Sequence, residues 1–150
     1  MCSVPAMPDI TLLTVPVFST LANAAFALRR EAFVIEQQIP EAEEFDADDL
    51  AATHVVAIGA GNVVGTLRLI WGAEHVKIGR VVVSQFWRGQ GISTKLLHHA
   101  MELARARGET RFYLTAQHDK LAVYEKLGFV AFGEPFDDGS GILHLKMKTY

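Results

Sequence analysis

The sequence is poor in three features that would each point to a different class of protein. Its single cysteine, Cys2, excludes a disulfide framework within one chain of 150 residues. Its formal net charge of -3 gives no sign of a basic nucleic-acid-binding surface, so we expect no nucleic-acid partner. No apolar run approaches the roughly 20 residues that a membrane-spanning helix needs, so we expect no membrane partner.

Two further absences concern metal binding and targeting. The 6 histidines include no His-x-x-x-His pair and no Cys/His set, so we predict no metal site. The adjacent His98 and His99 lie on a predicted helix and cannot face one ion together. The first eight residues lack the basic and apolar regions of a signal peptide, so we expect a cytoplasmic protein.

What remains is the composition of an ordinary globular domain. Hydrophobic residues make up 50% of the chain and charged residues 21%, and a chain of this size can bury a full core. Residues 1–8 carry two prolines and predict a flexible tail. The rest of the chain, 9–150, shows no repeats or linkers and is predicted to be a single domain.

Hydrophobic periodicity predicts the element order β-α-β-β-β-α-β-α-β-β, which is typical of an α+β or mixed α/β domain. The first helix is capped by Ser19 or Thr20 and ends before Pro40, and an acidic loop follows over 41–49. A second helix begins near Ile92 and stops at Gly108, and Asp119 caps a short third helix. The predicted strands span 10–15, 54–58, 63–71, 76–84, 111–116, 129–132 and 142–147, with a polar turn over 135–141.

The segment Arg88-Gly89-Gln90-Gly91-Ile92-Ser93 lies between a strand and a helix and suits an anion. Its glycines allow backbone N–H groups to approach a ligand closely. The helix that begins near Ile92 offers free N–H groups and the positive end of its dipole, and Arg88 adds a positive charge. We interpret the segment as a cradle for a pyrophosphate, although a Gly-x-Gly alone is also compatible with a tight turn before an ordinary helix.

Two other phosphate-binding motifs fit poorly. A P-loop needs Gly-Lys-Ser/Thr, whereas the order here is Ser93-Thr94-Lys95. A dinucleotide fingerprint needs a third glycine where Thr94 stands, and an acidic residue that ends a second parallel strand. Glu109 lies near the right distance but precedes the next strand.

The segment from Arg88 to Ser93 resembles the Arg/Gln-x-x-Gly-x-Gly/Ala signature of the GNAT superfamily of N-acetyltransferases. The preceding residues 79–83 resemble the splayed central strand of this family, and 114–117 with 122–129 resemble its second cofactor segment. Residues 29–37 resemble the first helix of the ElaA-like subgroup. Ser93 replaces the family's Gly or Ala, but it is small and its hydroxyl can donate to a phosphate oxygen.

The resemblance covers about residues 10–150 and implies the acyl-CoA N-acyltransferase fold, a mixed, mostly antiparallel sheet of about seven strands flanked by helices. It implies an enzyme that transfers the acetyl group of acetyl-CoA directly to a primary amine of a small molecule or peptide. Family analogy also suggests a homodimer. A non-catalytic acyl-CoA-binding or sensor domain and a nucleotide-binding enzyme stay open as alternatives.

The resemblance also implies the residues that bind the cofactor. The backbone groups of Val81 and Val83 would bond the pantetheine arm as an added strand, and the Gln117 amide would support it. For the two valines the alternative is simple packing in the core of the strand, and for Gln117 it is capping of a loop. The full set is Val81, Val82, Val83, Arg88, Gly89, Gln90, Gly91, Ile92, Ser93, Gln117 and Tyr124.

Three residues are candidates for proton transfer. Tyr124 is the candidate acid, because a phenol with a pKa of about 10 stays protonated at neutral pH and can donate to a departing sulfur; a core tyrosine is the alternative. The central strand offers no carboxylate, so the candidate bases are Glu36, His54 and the acidic loop. Glu36 is alternatively a solvated surface glutamate, and His54 a structural histidine.

The acidic loop has a second possible role. Its carboxylates would attract an acceptor that arrives as an ammonium, unless the loop is simply a solvated segment.

Overall fold

The computed structural model describes residues 9–150, so the tail predicted over 1–8 lies outside the described residues. The strands are β1 Ile10–Val15, β2 Thr53–Gly59, β3 Asn62–Trp71, β4 Val76–Val83, β5 Phe112–Gln117, β6 Val130–Asp137 and β7 Leu143–Lys148. The helices are α1 Thr20–Arg29, α2 Glu41–Glu44, α3 Asp48–Ala51, α4 Ile92–Ala106 and α5 Leu121–Glu125. No helix within this part of the chain is long and apolar enough to cross a membrane.

The strands form one 7-stranded sheet in the order β1-β2-β3-β4-β5-β7-β6. Every neighbouring pair is antiparallel except β4 and β5, which confirms the predicted mixed, mostly antiparallel sheet. The parallel pair is short, because β4 and β5 pair only at Val76–Phe112 and Lys77–Tyr113. Beyond these residues the two strands diverge, as the resemblance predicts for the central strand.

The sheet carries a helix on each face. The apolar side of α4 packs Leu96, Leu97 and Ala100 against one face, where they join the largest buried core. On the other face α1 buries Ala22 and Ala25 against the sheet. The Ser19 hydroxyl caps α1 by accepting a hydrogen bond from the Ala22 N–H at 3.2 Å, as predicted.

The first helix changes its winding before it ends. After α1 the chain continues as a π-helical segment over Arg30–Glu36. The Gln37 N–H bonds to the Ala32 carbonyl five residues back, which widens the last turn. Such segments are frequent at functional sites. Here the segment brings Phe33 and Glu36 to the gap between β4 and β5.

Two local predictions were wrong. The turn predicted over 135–141 begins too early, because β6 continues through Pro135 to Asp137. Pro135 is tolerated because β6 is an edge strand and its register shifts between Phe132 and Phe136. Asp119 does not cap α5, since it lies inside a 3-10 turn that precedes the helix.

Candidate active site

The divergence of β4 from β5 opens a cavity of about 370 Å³. Its walls come from β4, the start of α4, the π-helical segment, β5, α5 and the start of β7. The cavity is lined by these predicted cofactor residues: Val81, Val82, Val83, Arg88, Gly89, Gly91, Ile92, Ser93, Gln117 and Tyr124. Gln90 is exposed and does not line the cavity.

The backbone of β4 directs hydrogen-bonding groups into the gap. Val83 lies opposite Gly65, and the N–H of Ser84 donates to the carbonyl of Val64 at 2.8 Å. In an antiparallel ladder this pattern makes Val83 and Gly65 a non-hydrogen-bonded pair. The N–H and C=O of Val83 therefore point away from β3 and toward the side where β5 has diverged. Alternation along the strand turns Val81 the same way.

A β-bulge re-aims the strand just before these valines. Gly79 pairs with Arg68 and Val82 with Thr66, so one residue of β3 faces both Arg80 and Val81. Arg80 has a φ of +55°, in the left-handed region that residues other than glycine rarely adopt. Bulges of this kind occur beside active sites, where they redirect side chains. In this chain the bulge turns Arg80 toward the cavity.

The predicted cradle has the backbone geometry that an anion needs. Gly89 and Gly91 both have φ of +78°, and a Cβ at either position would meet no atom within 4 Å. The backbone angle, and not crowding, therefore requires glycine, and the space beside each glycine is open. Gly91 is the N-cap of α4, and among residues 9–150 no side chain caps the helix, so the N–H groups of Ile92 and Ser93 have no capping partner there.

Arg88 makes two contacts that the sequence did not predict. Its Nε donates to the carbonyl of Val83 at 2.9 Å, so this carbonyl already has a partner. Its terminal nitrogens donate to the carboxylate of Glu36 at 3.1 and 3.3 Å. Glu36, a candidate base, thus lines the cavity as the half-exposed partner of Arg88. A diphosphate in the cradle would compete with Glu36 for this guanidinium.

Tyr124 of α5 and Gln117 at the end of β5 both line the cavity. Burial raises the pKa of Tyr124 to about 12, so its phenol keeps its proton at neutral pH. Within residues 9–150 no group accepts a hydrogen bond from the Tyr124 hydroxyl. The Gln117 amide donates to the side-chain oxygen of Gln37 at 2.8 Å, which links the end of β5 to the π-helical segment.

His54, the other candidate base, lies outside the cavity. It is 2% exposed, and its Nε2 lies 2.8 Å from the carbonyl oxygen of Asp49. Its ring packs edge-on against Phe26. This is the position of a structural histidine, so the geometry gives no support to His54 as a base.

Half of the acidic residues of the loop are not solvated. The loop folds into α2 and α3 and turns three carboxylates inward against three arginines from α1, β3 and β4. The pairs are Arg29–Glu44 at 2.9 Å, Arg29–Asp49 at 2.7 Å, Arg68–Asp46 at 2.7 Å, Arg68–Asp49 at 2.9 Å, Arg80–Glu44 at 3.2 Å and Arg80–Asp46 at 3.3 Å. The three carboxylates of this network are therefore already paired, whereas Glu41, Glu43 and Asp48 are exposed.

The pKa shifts of the carboxylates in this network depend on burial and on hydrogen bonds from the arginines. Burial raises the pKa of Glu44 despite the nearby arginines. A hydrogen bond from Arg68 lowers the pKa of Asp46. Burial by itself would raise the pKa of Asp49, but hydrogen bonds from Arg29 and Arg68 outweigh it, so this pKa is lowered. Glu44 and Arg68 also line the cavity, so the network forms one of its walls.

A gap between diverging parallel strands, with backbone groups facing it and a helix N-terminus at its end, is typical of acyl-CoA N-acyltransferases. A sequence profile described as the Acetyltransferase (GNAT) family matches residues 22–129, so the chain belongs to this family. The protein is therefore an acyltransferase enzyme. Within residues 9–150 no group of three or more His, Cys, Asp and Glu side chains is arranged to hold a metal ion.

Three similar proteins support this assignment. YjcF of Bacillus subtilis, an uncharacterized N-acetyltransferase, is 30% identical over 123 residues, which cover 82% of this chain and 88% of YjcF. An acyl-CoA N-acyltransferase from Pseudomonas aeruginosa has a crystal structure that is 35% identical, with a TM-score of 0.81 over 95% of this chain and 99% of that one. Escherichia coli ElaA is 26% identical, with a TM-score of 0.80 over 96% of this chain and 100% of its own.

Proposed function

We propose that this enzyme transfers the acetyl group of acetyl-CoA to a primary amine of a small molecule or peptide. The observation that carries the proposal is the gap itself. The Val83 N–H points into it from one strand, and the protonated hydroxyl of Tyr124 belongs to the same cavity. A hydrogen-bond donor and an acid are the groups that thioester aminolysis needs on the donor side.

The cavity supports acetyl-CoA as the donor along its length. The open glycine cradle and the first turn of α4 suit the diphosphate. The outward groups of Val81 and Val83 suit the amides of the pantetheine arm, which would add to β4 as a strand does. The N–H of one valine would then polarise the thioester carbonyl.

The chemistry proposed is direct transfer. The amine nitrogen bonds to the carbonyl carbon, the carbon–sulfur bond breaks, and the departing thiolate takes the proton of Tyr124. No covalent acyl-enzyme is needed, and residues 9–150 contain no cysteine that would form one.

The test is a thiol-release assay with acetyl-CoA over a library of primary amines, with product masses measured for every amine that responds. We expect at least one acceptor to gain an acetyl group at the rate at which thiol appears. Calorimetry with acetyl-CoA, ATP and NAD is the companion measurement. Tight ATP or NAD binding without CoA binding would contradict the proposal, and CoA binding without turnover of any amine would favour a sensor on the same fold.

A further inference from the structure

The acceptor amine must lose a proton, and none of the candidate bases is well placed to take it. Glu36 is paired with Arg88, and His54 lies outside the cavity. Of the acidic loop only Glu44 lines the cavity, and Arg29 and Arg80 hold its carboxylate. Another residue also lines the cavity, and the sequence motifs did not indicate it. This residue is His144, at the start of β7.

The position of His144 follows from the strand register. It lies directly opposite Gln117 of β5, so the two side chains share one face of the sheet. His144 is 8% exposed, and its ring packs beside Phe136 of β6. A buried imidazole thus lies beside the last residue of β5, in the wall of the cavity.

The hydrogen bonds of His144 define which ring nitrogen can act as a base. Its Nδ1 lies 2.8 Å from the carbonyl oxygen of Ile142. A carbonyl only accepts, so Nδ1 carries the proton in the neutral ring and Nε2 has the free electron pair. Asp138, which also lines the cavity, places a carboxylate oxygen 3.7 Å from this Nε2. This oxygen faces the Nε2–H that forms when the ring takes a proton.

We propose that His144 is the general base of the acetyl transfer and that Asp138 is its positioning residue; this rests on the proposed function. The amine nitrogen bonds to the thioester carbon and sheds its proton to His144 Nε2. The electron pair of the carbon–sulfur bond leaves with the sulfur, which takes the proton of Tyr124. The phenolate regains a proton from the His144 imidazolium through solvent, so amine and acetyl-CoA give amide and CoA with no net change in the enzyme.

Other titratable groups surround this end of β7 and enter any pH profile. They are Asp137 and Asp138 on the β6 side, Lys146 on β7, and His118, Asp119 and Lys120 of the 3-10 turn. The facing residue of β5 is the neutral Gln117. Single substitutions at 144 and 138 leave the remaining groups unchanged, so differences between variants report on this pair.

The test uses the full chain, acetyl-CoA and the amine with the highest turnover in the library. We expect His144→Gln to lower kcat by roughly 100-fold or more, the usual contribution of a general base, with the KM for acetyl-CoA within about twofold of the original. His98→Gln is the matched control, since His98 is exposed on α4 and does not line the cavity. Imidazole added to His144→Ala is expected to restore part of kcat, which a purely structural role would not allow.

The variant Asp138→Asn supplies an independent readout. An amide at this position is a weaker hydrogen-bond acceptor than a carboxylate, so the Nε2–H that forms during transfer loses its charged partner. We expect kcat to fall by roughly tenfold, while the KM for acetyl-CoA stays within about twofold. A purely structural role of Asp138 would not confine the loss to kcat.

The outcomes separate the two proposals. If the original enzyme acetylates an amine but His144→Gln keeps kcat within threefold and Asp138→Asn leaves kcat unchanged, the base assignment is wrong and the transferase proposal stands. If His144→Gln fails to fold, imidazole rescue of His144→Ala and the kcat of Asp138→Asn decide the question. If the original enzyme acetylates no amine, the proposed function fails and takes this inference with it.

Discussion

Tyr124 is the proposed acid, and burial raises its pKa to about 12, which keeps its hydroxyl protonated. We expect Tyr124→Phe to lower kcat by about 100-fold or more, because the thiolate then leaves without a proton donor. The Kd for acetyl-CoA should change little, since the ring and its edge-on contact with Phe129 are kept. Thiol-release kinetics and calorimetry measure the two quantities separately.

Tyr113→Phe is the matched control for this prediction. Tyr113 stacks on His75 and does not line the cavity. Equal losses of kcat in the two variants would show that removing any tyrosine hydroxyl is damaging. An unchanged kcat in Tyr124→Phe would exclude the acid role.

Changing Gly91 or Gly61 to alanine separates the effect of backbone strain on stability from an effect on ligand binding. Both have φ of +78° and open surroundings, but Gly91 begins α4 beside the cavity and Gly61 lies in the turn between β2 and β3. We expect either change to alanine to cost about 1 kcal/mol of unfolding free energy, from left-handed strain. Only Gly91→Ala should also weaken acetyl-CoA binding, because its Cβ enters the space above the cradle. Equal Kd values for the two variants would argue against a diphosphate at this position.

Among the elements, α2 and α3 depend on buried charge. Arg29 is 1% exposed and holds Glu44 and Asp49, whereas its neighbour Arg30 makes an exposed pair with Glu41. We expect Arg29→Met to lower the unfolding free energy by about 3–5 kcal/mol, because it removes one of the two arginines that compensate each of these buried carboxylates. The control Arg30→Met should cost about 1 kcal/mol or less. Urea unfolding measures both, and similar losses would mean that the buried network does not hold these helices.

Local signals predicted most of the elements. The caps and stops at Ser19 and Gly108 and the apolar periodicity of α4 act within a few residues, so the sequence displays them directly. The buried network was missed because the partners of its carboxylates lie on α1, β3 and β4, far along the chain. One signal was present, since Arg68 is a charge within the apolar run of β3.

The same distinction between local signals and contacts of distant residues applies to the candidate site. The glycine cradle and Tyr124 were predictable because they form contiguous motifs. His144 was not, because its sequence neighbours indicate only an ordinary strand and no local pattern marks it. The register that sets it opposite Gln117, and the turn that brings Asp138 to it, arise only when β7 inserts between β5 and β6.

At the scale of the molecule, the sheet consists of two parts joined along a short seam. One part contains β1 to β4 and the other β5, β7 and β6, with backbone pairing between them only at Val76 and Lys77. Buried cores form within residues 9–150, so we propose that this segment folds as one domain. A pantetheine arm paired with β4 would occupy the side of that strand that β5 leaves open.

This added-strand arrangement predicts a change at a single amide. The Val83 N–H points into the gap, whereas the ladder directs the Val82 N–H toward Thr66 of β3. With saturating acetyl-CoA, we expect hydrogen exchange at Val83 to slow by about tenfold or more, since about 1.4 kcal/mol of added protection corresponds to a factor of ten. Exchange at Val82 should slow less, because its hydrogen bond exists before the ligand binds.

Adenosine 3′,5′-bisphosphate is the matched ligand, because it carries phosphates but has no pantetheine arm. We expect it to slow exchange at Ile92 and Ser93, at the start of α4, while Val83 stays at its rate in the free protein. Equal slowing at Val82 and Val83 with acetyl-CoA would report only a general stabilisation of the fold. Slower exchange at Val83 with the bisphosphate would mean that the protection does not come from the pantetheine arm. Only slowing at Val83 that requires the arm shows that the ligand pairs with the strand that β5 has left open.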